Sequence, residues 1–543
     1  MGNKKSNSLV KNASILMIAT MISRVIGLLY RRPLGETLGD VGLGYYGYAS
    51  DLYVILLLIS SYSIPMAVSK VVSERLAMKE YKNAHKIFQG ALLYAAVVGG
   101  ITALITFFLG GYLLPHNQQG ALPALRVLAP TIFISGILGV FRGYFQAHNT
   151  MIPTSVSQIA EQIMNAIVSV FAGWAFIKYL AGASQDAAVF GAAGGTLGTG
   201  AGVLTGLIFM LIVYAYNRKS IMRQVDHDHT EREESYKSTF RIIFMMVTPI
   251  IFTTFIYNAS AYLNSYLFSN ILGWRGVEAS VLSASYGELS QYYTPLINIP
   301  VALASASAAA MMPEVSGCFA TGDKVAANGK ISSAIRLTMF LCVPSAVGLA
   351  VLATPIIQVL FPAASPLGGH LLMAGAVTVI FAALSTITNS VLQSIGKQKI
   401  ALRNAGISLV VNLVFLAVLL FVFPGVGVYG IIIANYVFYI CMSVLNAWSL
   451  KQYLGYKNEL MEAYGKPFAA AFGMGVAAWI VYYGFYVIMQ RQSRMIPLVL
   501  AIGVAVVLYM ILYVKVTGTS EEAMRRLPMG SKIVKVLKII KIY

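Results

Sequence analysis

Two charges stand where a chain of this composition has little reason to hold any. Arg142 and Glu161 flank the polar turn HNTM at 148–151, each inside an apolar run long enough to cross a bilayer. Arg142 lies about 7 residues before the turn and Glu161 about 10 after it, so at about 1.5 Å per residue both reach similar depth on neighbouring antiparallel helices. A charge at the bilayer centre costs roughly 2.5–3.5 kcal/mol on insertion scales, so such a residue demands a partner and a purpose. Two readings stand side by side. In one, the charges neutralise each other and lock two spans together, with Gln158 and Gln162 adding hydrogen bonds. In the other they meet a substrate. The corresponding positions in the second half of the chain are the neutral Asn389 and Ser408, and an architectural role in a duplicated fold would not require charges in one copy alone.

Arg24 poses the same question. It lies about 6 residues from the outer end of the first apolar run and Asp51 about 5 from the outer end of the second, similar depths on a helical hairpin. A hairpin salt bridge is one reading. Arg31 and Arg32 lie nearer the outer surface, however, and can satisfy Asp51, which leaves Arg24 to face a cavity. There its planar, permanently charged fork suits an anionic phosphate. The run GAAGGTLGTGAGVLTG holds Gly191, Gly195, Gly198, Gly202 and Gly206 at small-xxx-small spacings. It lacks the strand context of a dinucleotide fingerprint and reads as close helix packing or as a flexible, moving helix. Pro65, Pro295, Pro300 and Pro344 fall within apolar runs, where each removes a backbone donor and bends a helix. Asp226, His227, Asp228 and His229 have the chemistry of metal ligands but sit in the longest polar stretch, which reads as a solvated linker. Lys532, Lys535, Lys538 and Lys541 recur at steps of three in the tail, a basic stripe beside an apolar face that fits an anionic inner leaflet or docks on the protein's own loops.

The elements that position these residues follow from composition. Of 543 residues, 58% are hydrophobic and 11% charged, and the mean hydropathy is +0.73, values that exclude a soluble domain of this length. The formal net charge of +19 is spread over short loops, so it marks topology and not a nucleic-acid surface. Cys318, Cys342 and Cys441 have neither metal-ligand spacing nor an even-numbered framework. Apolar runs predict an all-α membrane protein of fourteen transmembrane helices, at 10–30, 46–68, 88–114, 122–146, 153–180, 187–215, 239–268, 283–312, 333–361, 368–394, 402–423, 427–450, 467–489 and 495–514. With the N-terminus inside, 31 of the 39 Lys and Arg residues fall in inner segments and 7 in outer loops, so both termini are expected in the cytoplasm. SIPMAVSK at 63–70 echoes NIPVALAS at 298–305, and Gln146 and Asn165 precede Gln393 and Asn412 by the same 247 positions. A duplication six spans long keeps both copies facing the same way, a parallel repeat with a substrate path between lobes. The expected organisation is an N-lobe at 1–217, a cytoplasmic linker at 218–238, a C-lobe at 239–452, two further helices at 453–515 and a basic tail at 516–543.

SRVIGLLYR at 23–31, SIPMAVSKVVSE at 63–74, RGYFQAHNTMIPTSVSQIAEQ at 142–162 and IPVALASASAAAMMPEVS at 299–316 resemble the polysaccharide transporter family of the MOP exporter superfamily, in its MurJ and stage V sporulation protein B branch. The resemblance spans essentially the whole chain and is most specific in the third stretch. It implies a bacterial cell-membrane flippase that moves lipid II, the undecaprenyl-pyrophosphate-linked peptidoglycan precursor, to the outer leaflet by alternating access, in cell-wall growth or sporulation. It further implies a central cationic cavity for the pyrophosphate and a groove at the last two helices for the polyprenyl tail. Arg24 matches the family's cavity arginine, and Arg142, Gln158, Glu161 and Gln162 match its four-five hairpin signature as substrate-binding residues. Asp51, Pro65 and Pro300 are expected to be structural or gating. The chain departs from the family at Pro295, where relatives carry Arg or Lys, and between 53 and 66, which holds no basic residue; the cavity is correspondingly less cationic.

Other functions fit the residues less well. A multidrug exporter of the related branch favours acidic residues for cation coupling, whereas Arg24 favours an anion. An intramembrane glycosyltransferase needs positioned carboxylates or histidines on sizeable outer loops, and the outer loops here are short. No enzymatic activity, cofactor, metal or nucleic acid is expected. The expected partners are lipid II or a related undecaprenyl-linked glycan, and membrane lipids, for a chain acting as a monomer.

Overall fold

Lipid offers no partner to backbone N–H and C=O groups, so apolar runs must satisfy their own hydrogen bonds as helices. The computed structural model shows this: regular structure among the described residues is entirely helical. The structure describes residues 2–58, 60, 64–148, 150–181, 186–228, 236–456, 459, 461–490, 492–518, 521, 534 and 538. The chain divides into two compact units, Met1–Gly287 and Glu288–Tyr543.

The first unit contains α1 (Gly2–Leu29), α2 (Arg31–Leu57), α3 (Ile64–Ala77), α4 (Tyr81–Leu113), α5 (Leu122–Ala147), α6 (Ile152–Phe176), α7 (Ala187–Asp226), α8 (Tyr236–Trp274) and α9 (Ala279–Gly287). Its best-defined core joins α3, α4, α5 and α7 around Phe88, whose ring lies 5.3 Å from that of Phe141 and 4.4 Å from that of Tyr144. Chain direction changes within α2 at Gly39, where φ is 66°, a left-handed conformation that a Cβ would disfavour. The glycine run of α7 supports packing and not looseness. A Cβ on Gly194 would lie 2.3 Å from the Ala172 carbonyl oxygen, one on Gly198 2.4 Å from the Ser169 nitrogen, and one on Gly202 2.5 Å from the Glu161 carbonyl oxygen. Only glycine lets the α7 backbone approach α6 this closely.

The second unit opens with a wide π turn, Glu288–Tyr293. There follow α10 (Thr294–Ala320), α11 (Lys324–Val351), α12 (Ala353–Leu360), α13 (Pro366–Gly375), α14 (Thr378–Ser394), α15 (Gln398–Val422), α16 (Tyr429–Leu454), α17 (Lys466–Ile488) and α18 (Met495–Thr517). The loop after α16 is strapped to α11: Asn328 donates to the Leu454 carbonyl at 3.1 Å, and Arg336 Nε donates to Glu459 at 2.9 Å.

This is an all-helical, multi-pass membrane protein. Ten helical segments among the described residues are long and apolar enough to cross a bilayer, and α13 with α14, bent by 47°, makes an eleventh if that pair is one span. The remaining three of the fourteen expected spans correspond to α1, to α2 with α3, and to α8. α1 qualifies only as the shorter apolar stretch Ile18–Leu29, and the second expected span includes 59 and 61–63, which lie outside the described residues between α2 and α3.

Several local expectations change. Pro295 follows the π turn Glu288–Tyr293 inside the continuous helical segment Ala279–Ala320, where a proline removes a backbone donor, and Pro65 lies in α3 just after 61–63, which are outside the described residues. Pro300 and Pro344 do lie inside α10 and α11. The linker is not simply solvated, because α7 runs on to Asp226. Asp228 is buried, with its carboxylate accepting the Lys82 N–H at 2.7 Å in the first turn of α4, an arrangement stabilised by the helix dipole. His229 lies outside the described residues, and no group of three or more His, Cys, Asp or Glu among the described residues is arranged to hold a metal. Of the tail lysines, Lys532, Lys535 and Lys541 lie outside the described residues, while Lys538 pairs with Glu521 at 2.9 Å.

Candidate functional site

The polar turn after α5 reverses the chain, so that α6 returns antiparallel and carries Ser157 and Glu161, one helical turn apart, onto the face opposite Arg142. Arg142 Nη2 donates to Glu161 Oε2 at 2.6 Å, and its Nε donates to Ser157 Oγ at 2.9 Å. Ser157 passes its own proton to the Thr154 carbonyl at 2.8 Å. The side chains are 15% and 28% exposed for Arg142 and Glu161, so the pair is largely enclosed. α7 closes over it at Gly206, where a Cβ would lie 3.4 Å from Arg142 Nη2 and 3.5 Å from Glu161 Oε2. On α5, Gly143 allows α3 to cross beside the pair: its Cβ would stand 2.6 Å from the Pro65 carbonyl oxygen. Pro65 thus marks a crossing point. Tyr53 of α2 is buried, with its hydroxyl 3.5 Å from Ser135 Oγ.

One further polar residue of α6, Gln162, reaches α1. Gln162 Nε2 lies 3.2 Å from where a Cβ on Gly27 would sit, one turn along from Arg24, which is exposed. Gln158 Oε1 is enclosed and makes no hydrogen bond among the described residues. Asp51 is held by an element far away in sequence, since the Tyr286 hydroxyl of α9 donates to its carboxylate. The Tyr286 ring stacks on Tyr48 with centroids 4.4 Å apart. Sequence spacing pointed to Arg142 with Glu161 but missed Ser157, Tyr53 and Tyr286. Ser157 was within reach of the same argument, lying four residues before Glu161, whereas nothing local pointed to Tyr286.

In the second unit the matching positions, Asn389 and Ser408, are neutral. Asn404 Nδ2 donates to Asn446 Oδ1 at 3.0 Å and to Ser449 Oγ at 3.1 Å, and Asn446 Nδ2 donates to Thr388 at 3.2 Å. All four residues are buried, and Asn404 Oδ1 also accepts from Arg403 Nη2 at 3.3 Å, so the amides satisfy one another with one guanidinium at their edge. Ser408 donates to the Asn404 carbonyl at 2.7 Å. α10, α11, α17 and α18 also enclose an apolar cavity of about 380 Å³, lined by Pro300, Phe340, Pro344, Met474, Val506 and Tyr509 among others. The Tyr509 hydroxyl there donates to the Phe340 carbonyl at 2.9 Å.

Residues 9–318, more than half of the chain, match the family described as polysaccharide biosynthesis protein. The chain belongs to that family. It is a transporter family and not a family of enzymes. Among known sequences the chain is similar to the lipid II flippase MurJ of Bacillus subtilis (strain 168), 25% identical over 524 residues, covering 92% of this chain and 94% of that protein. It is also similar to stage V sporulation protein B of the same organism, 23% identical over 532 residues and covering 97% and 98%. Among solved structures, the fold resembles lipid II flippase MurJ in an inward closed conformation, with a TM-score of 0.64 at 15% identity, covering 92% of this chain and 97% of that one. It also resembles an inward-facing multidrug resistance MATE family transporter of the MOP superfamily, with a TM-score of 0.62 at 15% identity, covering 82% and 99%.

Proposed function

We propose that this protein is a flippase for polyprenyl-linked glycans, with lipid II, the undecaprenyl-pyrophosphate-linked peptidoglycan precursor, as its substrate, carried to the outer leaflet of a bacterial cell membrane by alternating access. The observation that carries the reading is Arg24, an exposed guanidinium in the middle of the apolar stretch Ile18–Leu29. A guanidinium within an apolar stretch marks a functional position, and its bidentate fork fits a pyrophosphate. Gln158 and Gln162 offer sugar-compatible amides on the neighbouring helix, while Arg142 and Glu161 hold that helix in place and contribute a second cation where the pair opens. The apolar cavity of the second unit suits the polyprenyl tail. Full-length similarity to a lipid II flippase and to stage V sporulation protein B supports the same reading.

The reading includes fourteen spans, with α1, α2–α3 and α8 crossing the membrane alongside the eleven apolar segments. These form two six-span lobes in parallel repeat, joined by the 218–238 linker and followed by α17 and α18, with both termini in the cytoplasm. Reconstitution tests it. Proteoliposomes containing the protein are expected to translocate lipid II, and Arg24→Ala to abolish this with the fold intact. Preferential movement of another polyprenyl-linked glycan would change the substrate assignment, and export of organic cations in its place would favour the multidrug branch.

A further inference from the structure

The segment α12–loop–α13 is bounded by two breaks in helical structure. α11 ends at Leu352, with φ −102° and ψ 20°, and α13 is set off from α14 by a 47° bend. What holds this hairpin is the π turn Glu288–Tyr293. In a wide turn, residues four and five apart share one face, and wide turns inside helices recur at functional sites. Here that face carries Glu288, Tyr292 and Tyr293.

Each of the three grips a different part of the hairpin. Glu288 is 2% exposed, and its Oε1 accepts the Ser365 N–H at 2.7 Å, at the start of α13. Its other oxygen lies over the first turn, 2.4 Å from where a Cβ on Gly368 would stand. A carboxylate at this end of a helix interacts favourably with the dipole. Tyr292 stacks on Phe361 of the hairpin loop, with centroids 4.6 Å apart and both rings buried. Tyr293 reaches the opposite end of α13, donating toward the Gly375 carbonyl at 3.2 Å and Thr378 Oγ1 at 3.4 Å. Gly375 leaves room for that phenol, since a Cβ there would fall 2.3 Å from the ring. Tyr436 supplies one further tie, donating to the Ala374 carbonyl at 2.5 Å.

We propose that Glu288, Tyr292 and Tyr293 form a clamp on the α12–α13 hairpin, and that the hairpin is a gate which must leave the clamp in each transport cycle. The gate rests on the flippase reading; the clamp stands on the geometry alone. Breaks at both ends supply hinges, and one charge-assisted hydrogen bond with one ring stack supplies a latch that can be made and broken.

Two measurements test this. The first is amide hydrogen exchange across 361–375 in the purified full-length protein. Glu288→Ala and Gly368→Ala are each expected to speed exchange there by about 10- to 100-fold, the loss of a hydrogen bond to a charged group. Glu288→Gln, which keeps an acceptor oxygen, should change it by only a few-fold, and α5 should be unaffected in all three. Gly368→Ala leaves the glutamate in place, so it tests the contact even if Glu288→Ala fails to fold. Unchanged exchange in folded Glu288→Ala and Gly368→Ala removes the clamp. The second measurement joins Tyr292→Cys to Phe361→Cys with a cleavable thiol crosslinker, after Cys318, Cys342 and Cys441 have been replaced. Transport of lipid-linked glycan should stop on linking and return on cleavage; a linked protein that transports at the unlinked rate overturns the gate. If the wild type moves no lipid-linked glycan at all, the flippase reading fails, and the exchange comparison still decides the clamp.

Discussion

Removing either member of the Arg142–Glu161 pair should damage the protein more than removing both would suggest. Arg142→Ala deletes a hydrogen bond of 2.6 Å to Glu161 and one of 2.9 Å to Ser157, and strands a carboxylate whose side chain is 28% exposed. Breaking a fully buried pair costs about 3–5 kcal/mol. Water reaching part of Glu161 lowers this to about 2–4 kcal/mol. Glu161→Ala leaves the guanidinium with Ser157 still accepting, so about 1.5–3 kcal/mol is expected there. In the double variant no charge is stranded, and the coupling between the two sites should be about 1.5–3 kcal/mol. Denaturant or thermal unfolding of the four proteins in one lipid environment measures the cycle. Arg142→Met, which keeps the apolar stem, separates lost charge from lost packing. Additivity to within about 0.5 kcal/mol would show that the charges do not support each other, and a wild-type Arg142→Met would show that only the stem matters.

Further outcomes follow from the same structure. Gly202→Ala should cost about 1–3 kcal/mol by overpacking, because its Cβ would stand 2.5 Å from the Glu161 carbonyl oxygen; Gly206→Ala, with its nearest neighbour at 3.3 Å, should be tolerated. Equal effects on unfolding would contradict the close α6–α7 approach. Tyr286→Phe keeps the stack on Tyr48 but removes the donor to Asp51, and should destabilise the first unit by about 1.5–3 kcal/mol. Asp51→Asn retains an acceptor and should be milder in the same unfolding assay. Arg24→Lys should keep part of the lipid II translocation that Arg24→Ala loses, since the charge remains without the fork; wild-type transport by Arg24→Ala would place the anion elsewhere. Impermeant thiol labelling of single cysteines in intact cells should reach His116→Cys, an exposed position beside the buried Gln118, but not His227→Cys, and the reverse would invert the topology. Arg491 and Tyr543, also useful for that map, lie outside the described residues.

Class and periodicity were written in the sequence. Apolar runs determine helices because lipid leaves a backbone no other way to satisfy its polar groups, and each run found in the sequence has a helix in the structure. The Arg142–Glu161 contact was legible as well, because a short turn places residues by counting along two antiparallel helices. The α7 glycines announced close packing for a similar reason, since their spacing repeats on one helix face. Tertiary structure alone decided what α7 packs against, that Asp51 meets Tyr286, that Asn404 meets Asn446 in the second unit, and that Glu288 caps α13. The last three of these join residues 42 to 235 positions apart. Residue type says that a buried carboxylate needs a donor, but many hydroxyls and amides in this chain could serve. Which one does is set by how helices pack in three dimensions, and local spacing carries no record of that.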